Sequence, residues 1–537
     1  MKPFQASLDN PRLRQAAIAM NRNDIPQAEQ LLKAYLNEAP TDVPAIRMLA
    51  EVAMRIGRDE DAQRLLERAL ELAPGFLPAR YQLAILLHRR NDPAQALAEV
   101  ERLLAAEPRN PGYRNLAAVV LARVGEYERS SSLYAELARE YPANAKVWLS
   151  YGHVLKTEGR QDECVAAYRR AIEHEPASGE AWWSLANLKT FRFAEAELAA
   201  MRSGVEDPAI GEENRVHLHF ALGKALEDAG EYAASFEHYA RANALHRARN
   251  PYNADRNTAR LRHLEAVFTR EFFAARAGSG CPTASPIFIV GMPRAGSTLL
   301  EQILSSNSAV EGTTELPAMI TMARELRDLG EDEDIVSYAD VLATMDGDAL
   351  RALGERYLKR TRVHRKTDRP HFIDKMPNNF LYVAMIQLAL PNARIIDARR
   401  HPMACCFSNF KQHYARGQRF SYDLTDMGRF YCDYVALMAR FDAVLPGRVH
   451  RVFYERIVED TEAEVRRLLD YCGLSFEPEC LRFFENERPV RTASSEQVRQ
   501  PIYRDGMEQW RHYDEWLGPL KAALGPVLDT WPATPDQ

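Results

Sequence analysis

The sequence predicts an α/α solenoid followed by an α/β domain with a mostly parallel sheet. Three observations predict it. Prolines recur every 34 residues through the first third, at Pro40, Pro74, Pro108, Pro142 and Pro176. A turn bracketed by Gly291 and Gly296 joins an apolar run to an apolar helix. Beyond that turn, extended and helical segments alternate, the pattern of a sheet with helices on both faces.

The proline period is accompanied by two series of small residues. Ala16, Ala50, Ala84, Ala118, Gly152 and Ala186 lie in phase. Ala28, Ala62, Ala96, Ser130 and Cys164 follow twelve residues behind. Two helices in close contact need small side chains where their backbones approach, and proline then stops the second helix. After Pro176, Lys189-Thr190-Phe191-Arg192-Phe193 interrupts the pattern, which returns at Gly223 and Ser235. The reading is seven helical pairs, the sixth degenerate, over residues 1–250. Stacked pairs offer a concave surface for a peptide or protein; the alternatives are packing on a neighbouring domain and dimerisation. A connecting helix over 252–276 and a turn-rich linker at 278–283 complete the segment 251–285.

Residues 286–300 read as a buried strand, a tight turn and a helix start. Ile287–Val290 supply the apolar run, and Ser297 and Thr298 open the helix. Free N–H groups at a helix N-terminus attract anions. The spacing G-x-x-x-x-G-S-T departs from the ATPase loop G-x-x-x-x-G-K-[ST] only where Ser297 replaces lysine. Arg294 supplies a cation inside the loop instead. A phosphate-like ligand other than ATP is one reading, and a ligand-free glycine turn the other. Further strands are expected at 371–375, 393–398 and 449–454. Helices are expected at 349–361, 380–390, 403–414, 424–445 and 462–472. Arg294, Lys375, Arg399, Arg400 and Tyr454 fall at strand carboxyl ends, where such sheets bind ligands.

The net charge of −6 lacks the basic excess of a nucleic-acid binder. Seven cysteines without a C-x-x-C pair suggest neither a disulfide framework nor a zinc site. Residues 1–5 have no apolar run, and no stretch approaches 18 apolar residues. The expectation is a cytoplasmic protein without a secretory leader or membrane span.

With these residues in place, two resemblances follow. The 34-residue grammar, with Trp148-x-x-Tyr151-Gly152-x-x-Leu155, resembles the tetratricopeptide repeat. Four elements of the second half resemble sulfotransferases that use 3′-phosphoadenosine 5′-phosphosulfate, above all the tyrosylprotein enzymes and the bacterial repeat-bearing group. Pro293-Arg294-Ala295-Gly296-Ser297-Thr298 is similar to that family's 5′-phosphosulfate loop. Arg400 with Ser408 is similar to its 3′-phosphate element. Ser494, Gln497 and Val498 lie in a stretch similar to its nucleotide-covering loop, and Tyr454 matches a tyrosine that reaches the 3′-phosphate. The likeness covers roughly 286–520 and implies a catalytic domain over 286–525 with a tail at 526–537.

The resemblance implies roles. Glu315 matches the catalytic glutamate of the tyrosylprotein enzymes, although Thr313 and Thr314 would also suit a helix-start carboxylate. Lys375 matches the lysine that donates to the bridging oxygen, with an ion pair to Asp374 as the alternative. Arg294 and Ser494 would hold the transferring group. Arg400, Ser408 and Tyr454 would bind the 3′-phosphate. No metal is implied. The partners implied are the donor nucleotide and a hydroxyl acceptor, a protein tyrosine held by the repeats being one class. Two departures stand out. Gln509, which Trp510 follows, occupies the place of a nucleotide-contacting lysine, with Arg511 as a substitute. Leu316-Pro317-Ala318-Met319-Ile320 replaces the arginines that read acidic residues around a target tyrosine, leaving Arg324, Arg327 or the basic run 359–366 for that task. The rival functions are a repeat scaffold with a nucleotide-binding but inactive domain, and a nucleoside-triphosphate kinase or ATPase, which the absent loop lysine disfavours.

Overall fold

The computed structural model describes residues 10–328, 337–414, 417–502 and 504–532. The readings of residues 1–5 and of the end of the tail lie outside these. By compactness the chain divides into two units, Met1–Glu140 and Tyr141–Gln537.

The first unit holds four helical pairs among its described residues. They are Pro11–Asn21 with Ile25–Glu38, Val43–Arg55 with Asp59–Leu72, Leu77–Arg89 with Pro93–Ala106, and Pro111–Val124 with Tyr127–Glu140. Asn10, Asp24, Asp42, Asp92 and Asn110 cap helix starts by accepting backbone N–H groups. Each proline of the 34-residue series falls two residues past a helix end, where its ring stops further turns. The small residues do what the pattern requires. Ala16, Ala28, Ala50, Ala62, Ala84, Ala96 and Ala118 are fully buried. Where the follower is polar it bonds to the leader's backbone: Ser130 Oγ donates to the Ala118 carbonyl at 2.7 Å.

The second unit opens with three more pairs: Ala145–Glu158 with Gln161–His174, Gly179–Ala186 with Glu195–Glu206, and Glu212–Asp228 with Tyr232–Arg249. The twelve-residue contact persists, with Cys164 Sγ donating to the Gly152 carbonyl and Ser235 Oγ to that of Gly223. The sixth pair is the irregular one. Its first helix has eight residues, and the turn after it lengthens to span 187–194. The expected connecting helix is two helices, Ala254–Val267 and Arg270–Ala274. They split at Thr269, whose hydroxyl accepts the Phe272 N–H and starts a new helix.

The sheet has five parallel strands in the order β2-β3-β1-β4-β5. They are β1 (Pro286–Gly291), β2 (Val310–Gly312), β3 (His371–Lys375), β4 (Arg394–Arg399) and β5 (Val449–Phe453). β1 is central and buried throughout, as a continuous apolar run requires. β2 has no counterpart in the sequence reading, because three residues with one aliphatic side chain carry no strand pattern. The expected helices form, with shifted ends. The one expected at 403–414 is Pro402–Phe410, and the one expected at 380–390 begins as a 3-10 turn, Pro377–Tyr382, before Val383–Ala389. Tyr454 opens the helix Tyr454–Glu459 rather than closing β5. Arg399 is the last residue of β4 and turns inward, where its Nε donates to Asp397 at 3.0 Å.

The seventh pair packs on the α/β domain through rings. His217 and His246 meet His413 with centroids 4.6 and 5.3 Å apart, and His246 stacks on Tyr422 at 3.8 Å. Burial pushes the His413 imidazole down to about 3, and His217 and His246 in the same direction. The folded protein therefore binds fewer protons here than the unfolded chain between about pH 3 and the ordinary value of 6.5. Stability contributed by this cluster is complete above pH 6.5 and is lost as pH falls toward 3. Melting temperatures measured from pH 7 to 4.5 should decline, and His413→Phe should flatten the decline. An equal slope in the variant would remove His413 from the effect.

Candidate active site

The loop after β1 is built on left-handed backbone. Gly291 has φ 132°, Arg294 φ 64° and Gly296 φ 95°. A Cβ on Gly291 would stand 2.5 Å from the Ala398 carbonyl oxygen, so only glycine lets β1 and β4 close there. A Cβ on Gly296 would stand 2.9 Å from the Tyr454 ring. Arg294 is not a glycine, and its left-handed backbone is held by its surroundings. The loop leads directly into the helix Ser297–Ser305, all nine residues of which are buried. Aligned N–H groups and the dipole together favour an anion.

Arg294 gathers the neighbouring segments. Its Nη1 donates to Ser494 Oγ at 2.6 Å, its Nε to Ser408 Oγ at 3.1 Å and its Nη2 to Gln497 Oε1 at 3.4 Å. Ser408 lies inside the helix Pro402–Phe410. Arg400 Nη1 donates to the Arg294 carbonyl at 3.1 Å, and Nη2 to the Gly506 carbonyl. The Arg400 guanidinium also lies 5.2 Å from the centre of the Tyr454 ring. Its Nε is buried without a hydrogen-bond partner among the described residues. A buried guanidinium nitrogen left in that state suits an anionic ligand.

At the other end, Lys375 Nζ donates to Glu315 Oε1 at 2.7 Å. The lysine is 1% exposed and the glutamate 43%, so the carboxylate faces the cavity while the ammonium lies beneath it. The alternative pairing of Lys375 with Asp374 does not form. Successive strand residues point to opposite faces, and Asp374 accepts the Tyr357 hydroxyl at 2.7 Å on the other face. Burial pushes the Asp374 carboxyl up to about 7.

These groups surround one cavity of about 250 Å³. Arg294, Gly296, Ser297, Thr298, Glu315, Arg400, Ser408, Tyr454, Ser494, Gln497 and Val498 all line it. Ala295 and Lys375 do not; both are buried behind the lining. Trp510 and Arg511 are also outside it. His401 stacks on Trp510, and Arg511 pairs with Glu508 at 3.3 Å, whereas Gln509 lines the cavity. Arg324, Arg327 and the basic run 359–366 are likewise absent from the lining.

Two residues escaped the sequence reading. Glu301, 2% exposed, lies 3.8 Å from Lys375 Nζ and 3.0 Å from Arg488 Nη2. A lone carboxylate amid Leu299, Leu300, Ile303 and Leu304 was the available signal. Arg488 also donates to Gln302 Oε1 at 2.8 Å, and nothing in its local sequence marks it. Among the described residues, no cluster of histidine, cysteine or acidic side chains is placed to hold a metal ion. No described helix is long and apolar enough to cross a membrane.

Comparison with known proteins agrees with this architecture. The profile of the sulfotransferase family matches residues 286–478. Tetratricopeptide repeat profiles match residues 19–71, 57–120 and 145–188. An uncharacterized protein of Aquifex aeolicus (strain VF5) is 31% identical over 340 residues, which is 62% of this chain and 44% of that one. The chain thus spans less than half of that relative's length. A putative protein-tyrosine sulfotransferase of Caenorhabditis briggsae is 24% identical over 270 residues, 47% of this chain and 91% of its own. The sulfotransferase domain from the Synechococcus PCC 7002 olefin synthase aligns with 43% of this chain and 88% of its own, at 18% identity and a TM-score of 0.33. The chain carries tetratricopeptide repeats followed by a sulfotransferase-family domain.

Proposed function

We propose that the protein transfers the sulfuryl group of 3′-phosphoadenosine 5′-phosphosulfate to an acceptor hydroxyl, with residues 286–525 as the catalytic domain and 1–250 as the repeat array. The observation that carries this reading is the Lys375–Glu315 pair, at 2.7 Å, lining or underlying the same cavity as the anion-binding loop. A sulfotransferase needs a base for the acceptor and a cation for the departing phosphate, close together and beside a cradle for the donor.

The donor supplies an activated sulfuryl group on a phosphate oxygen. This chain's residues do the rest by positioning and electrostatics. The N–H groups at Gly296–Thr298 hold the 5′-phosphate. Arg294 and Ser494 hold the sulfuryl oxygens. Arg400, Ser408 and Tyr454 hold the 3′-phosphate, and Gln497 and Val498 cover the nucleotide. Glu315, exposed to the cavity, accepts the proton of the acceptor hydroxyl. Lys375, fixed beneath it between Glu315 and Glu301, donates to the oxygen on which negative charge develops. The burial of Lys375 strengthens that donation. Cationic side chains meet the charge of the donor, so the reading requires no metal. The acceptor we favour is a protein tyrosine, presented by the repeats, in keeping with the name of the Caenorhabditis briggsae relative.

Calorimetric titration with 3′-phosphoadenosine 5′-phosphate, without magnesium, tests the donor site. Wild type should bind at micromolar concentration or tighter. Arg400→Ala should lose about 2–5 kcal/mol, the usual cost of removing one member of a buried charged pair. No binding by folded wild type would reject the reading. Tight binding without transfer from the sulfated donor to any hydroxyl acceptor would instead favour a nucleotide-binding scaffold.

A further inference from the structure

A second cavity, of about 560 Å³, adjoins the first. The two share Arg294, Ser408, Gln497, Gly506 and Gln509. Glu315 and Thr298 line only the first, so the second opens at the Ser408 end, away from the base. Its far wall comes from the sixth and seventh repeats with Lys189, Arg192 and Lys224, and Lys411 of the α/β domain adds a fourth further cation.

Three of those cations are ion-paired, two of them with the same carboxylate. Lys224 pairs with Asp228, Arg192 with Asp228 at 3.2 Å and Lys411 with Glu227 at 2.6 Å. Lys189 is not. Its ammonium donates to Gln412 Oε1 at 3.2 Å and lies 5.2 Å from the Trp183 ring centre. Among the described residues, no carboxylate pairs with it. Burial, then Arg294 and Lys224, pushes its ammonium well below the usual lysine range.

Lys189 has φ 68°, the left-handed conformation that follows the first helix of every other pair, where asparagine or glycine supplies it (Asn23, Gly57, Asn91, Gly125, Gly159 and Gly230). It sits in the lengthened turn 187–194, where the other repeats pass from first helix to second in two or three residues. The interruption of the repeat is what carries a lysine into the cavity.

We propose that Lys189 completes the donor site from the repeat side, as a ligand for the 3′-phosphate of the nucleotide opposite Ser408 and Arg400. This rests on the sulfotransferase reading above. A phosphate on Ser408, at the shared wall, would supply the anion that Lys189 faces. The repeats then have a second task besides presenting an acceptor: the α/β domain alone has an unfinished nucleotide site.

The test compares two nucleotides on the full-length protein. Affinities for adenosine 3′,5′-bisphosphate and adenosine 5′-monophosphate are measured calorimetrically for wild type, Lys189→Asn and Lys189→Arg. Asparagine tolerates left-handed backbone, so Lys189→Asn removes the charge without new strain, and a melting curve like that of wild type checks the fold. Lys189→Asn should weaken the bisphosphate at least about tenfold, as expected for a lost charge-assisted bond. The monophosphate should change less than about twofold, since it lacks the group that the bond holds. Lys189→Arg should recover most of the loss. Equal weakening of both nucleotides, or none, overturns the assignment. So does unchanged bisphosphate affinity with a raised acceptor KM, which would move Lys189 to the acceptor. If wild type binds neither nucleotide, the sulfotransferase reading itself fails, and this assignment with it.

Discussion

Glu315→Gln should lower kcat by about 10²–10⁴-fold, the usual contribution of a positioned general base, while nucleotide affinity stays near wild type. The amide keeps the size of the side chain and still accepts from Lys375. It cannot take a proton from a hydroxyl. The prediction is specific because the carboxylate does two things at once. One oxygen is tied to Lys375 Nζ at 2.7 Å, while the side chain remains 43% exposed toward the cavity. A residue whose task was only to balance Lys375 would not need that exposure, since Glu301 already lies 3.8 Å away. Steady-state kinetics with the sulfated donor, together with bisphosphate titration, separates the two roles. A kcat within threefold of wild type would leave Glu315 as a structural counter-ion. A matching loss of nucleotide affinity would place it on the donor rather than the acceptor.

Glu301→Leu should destabilise the protein by about 3–5 kcal/mol, the cost of breaking a buried ion pair by removing one partner. Glu301 is 2% exposed and stands between Lys375, 1% exposed, and Arg488, 13% exposed. Without it Lys375 keeps only Glu315, and Arg488 keeps a side-chain amide and a backbone carbonyl. Leucine fills the volume, so the loss reports charge rather than a void. Urea denaturation gives the result directly: the midpoint should fall while the dependence on denaturant stays the same. A loss below about 1 kcal/mol, the range of exposed pairs, would mean that the triad is open to water. Activity should fall as well, because Lys375 then has freedom to leave the position beneath Glu315.

The two substitutions divide the site along the line between what sequence reading reached and what it did not. Glu315 and Lys375 are reached through family likeness. Glu301 was passed over because one polar residue in an apolar helix looks like a surface face, and only the packing of Ser297–Ser305 against the sheet shows that it has none. Arg488 sits in a segment without periodicity. β2 was missed because three residues cannot display alternation. Tyr454 was assigned to a strand end, but the chain turns helical there and sets its ring against Gly296.

By itself, the sequence determined the solenoid, through a period that needs no partner to be visible: small residues where helices touch and proline where they stop. It also determined the loop, because Gly291 and Gly296 adopt backbone that other residues resist. It could order the polar residues along strand ends. It could not say which of them share a cavity. That was decided by the sheet order β2-β3-β1-β4-β5, which sets the carboxyl ends of β1, β3 and β4 side by side. Nor could it say that an irregular turn in the sixth repeat faces Arg294. Lys189 and Arg294 are separated by more than a hundred residues, and local pattern holds no information about contacts at that distance. Only the packing of the last repeats on the α/β domain brings Lys189 and Arg294 to the wall of one cavity.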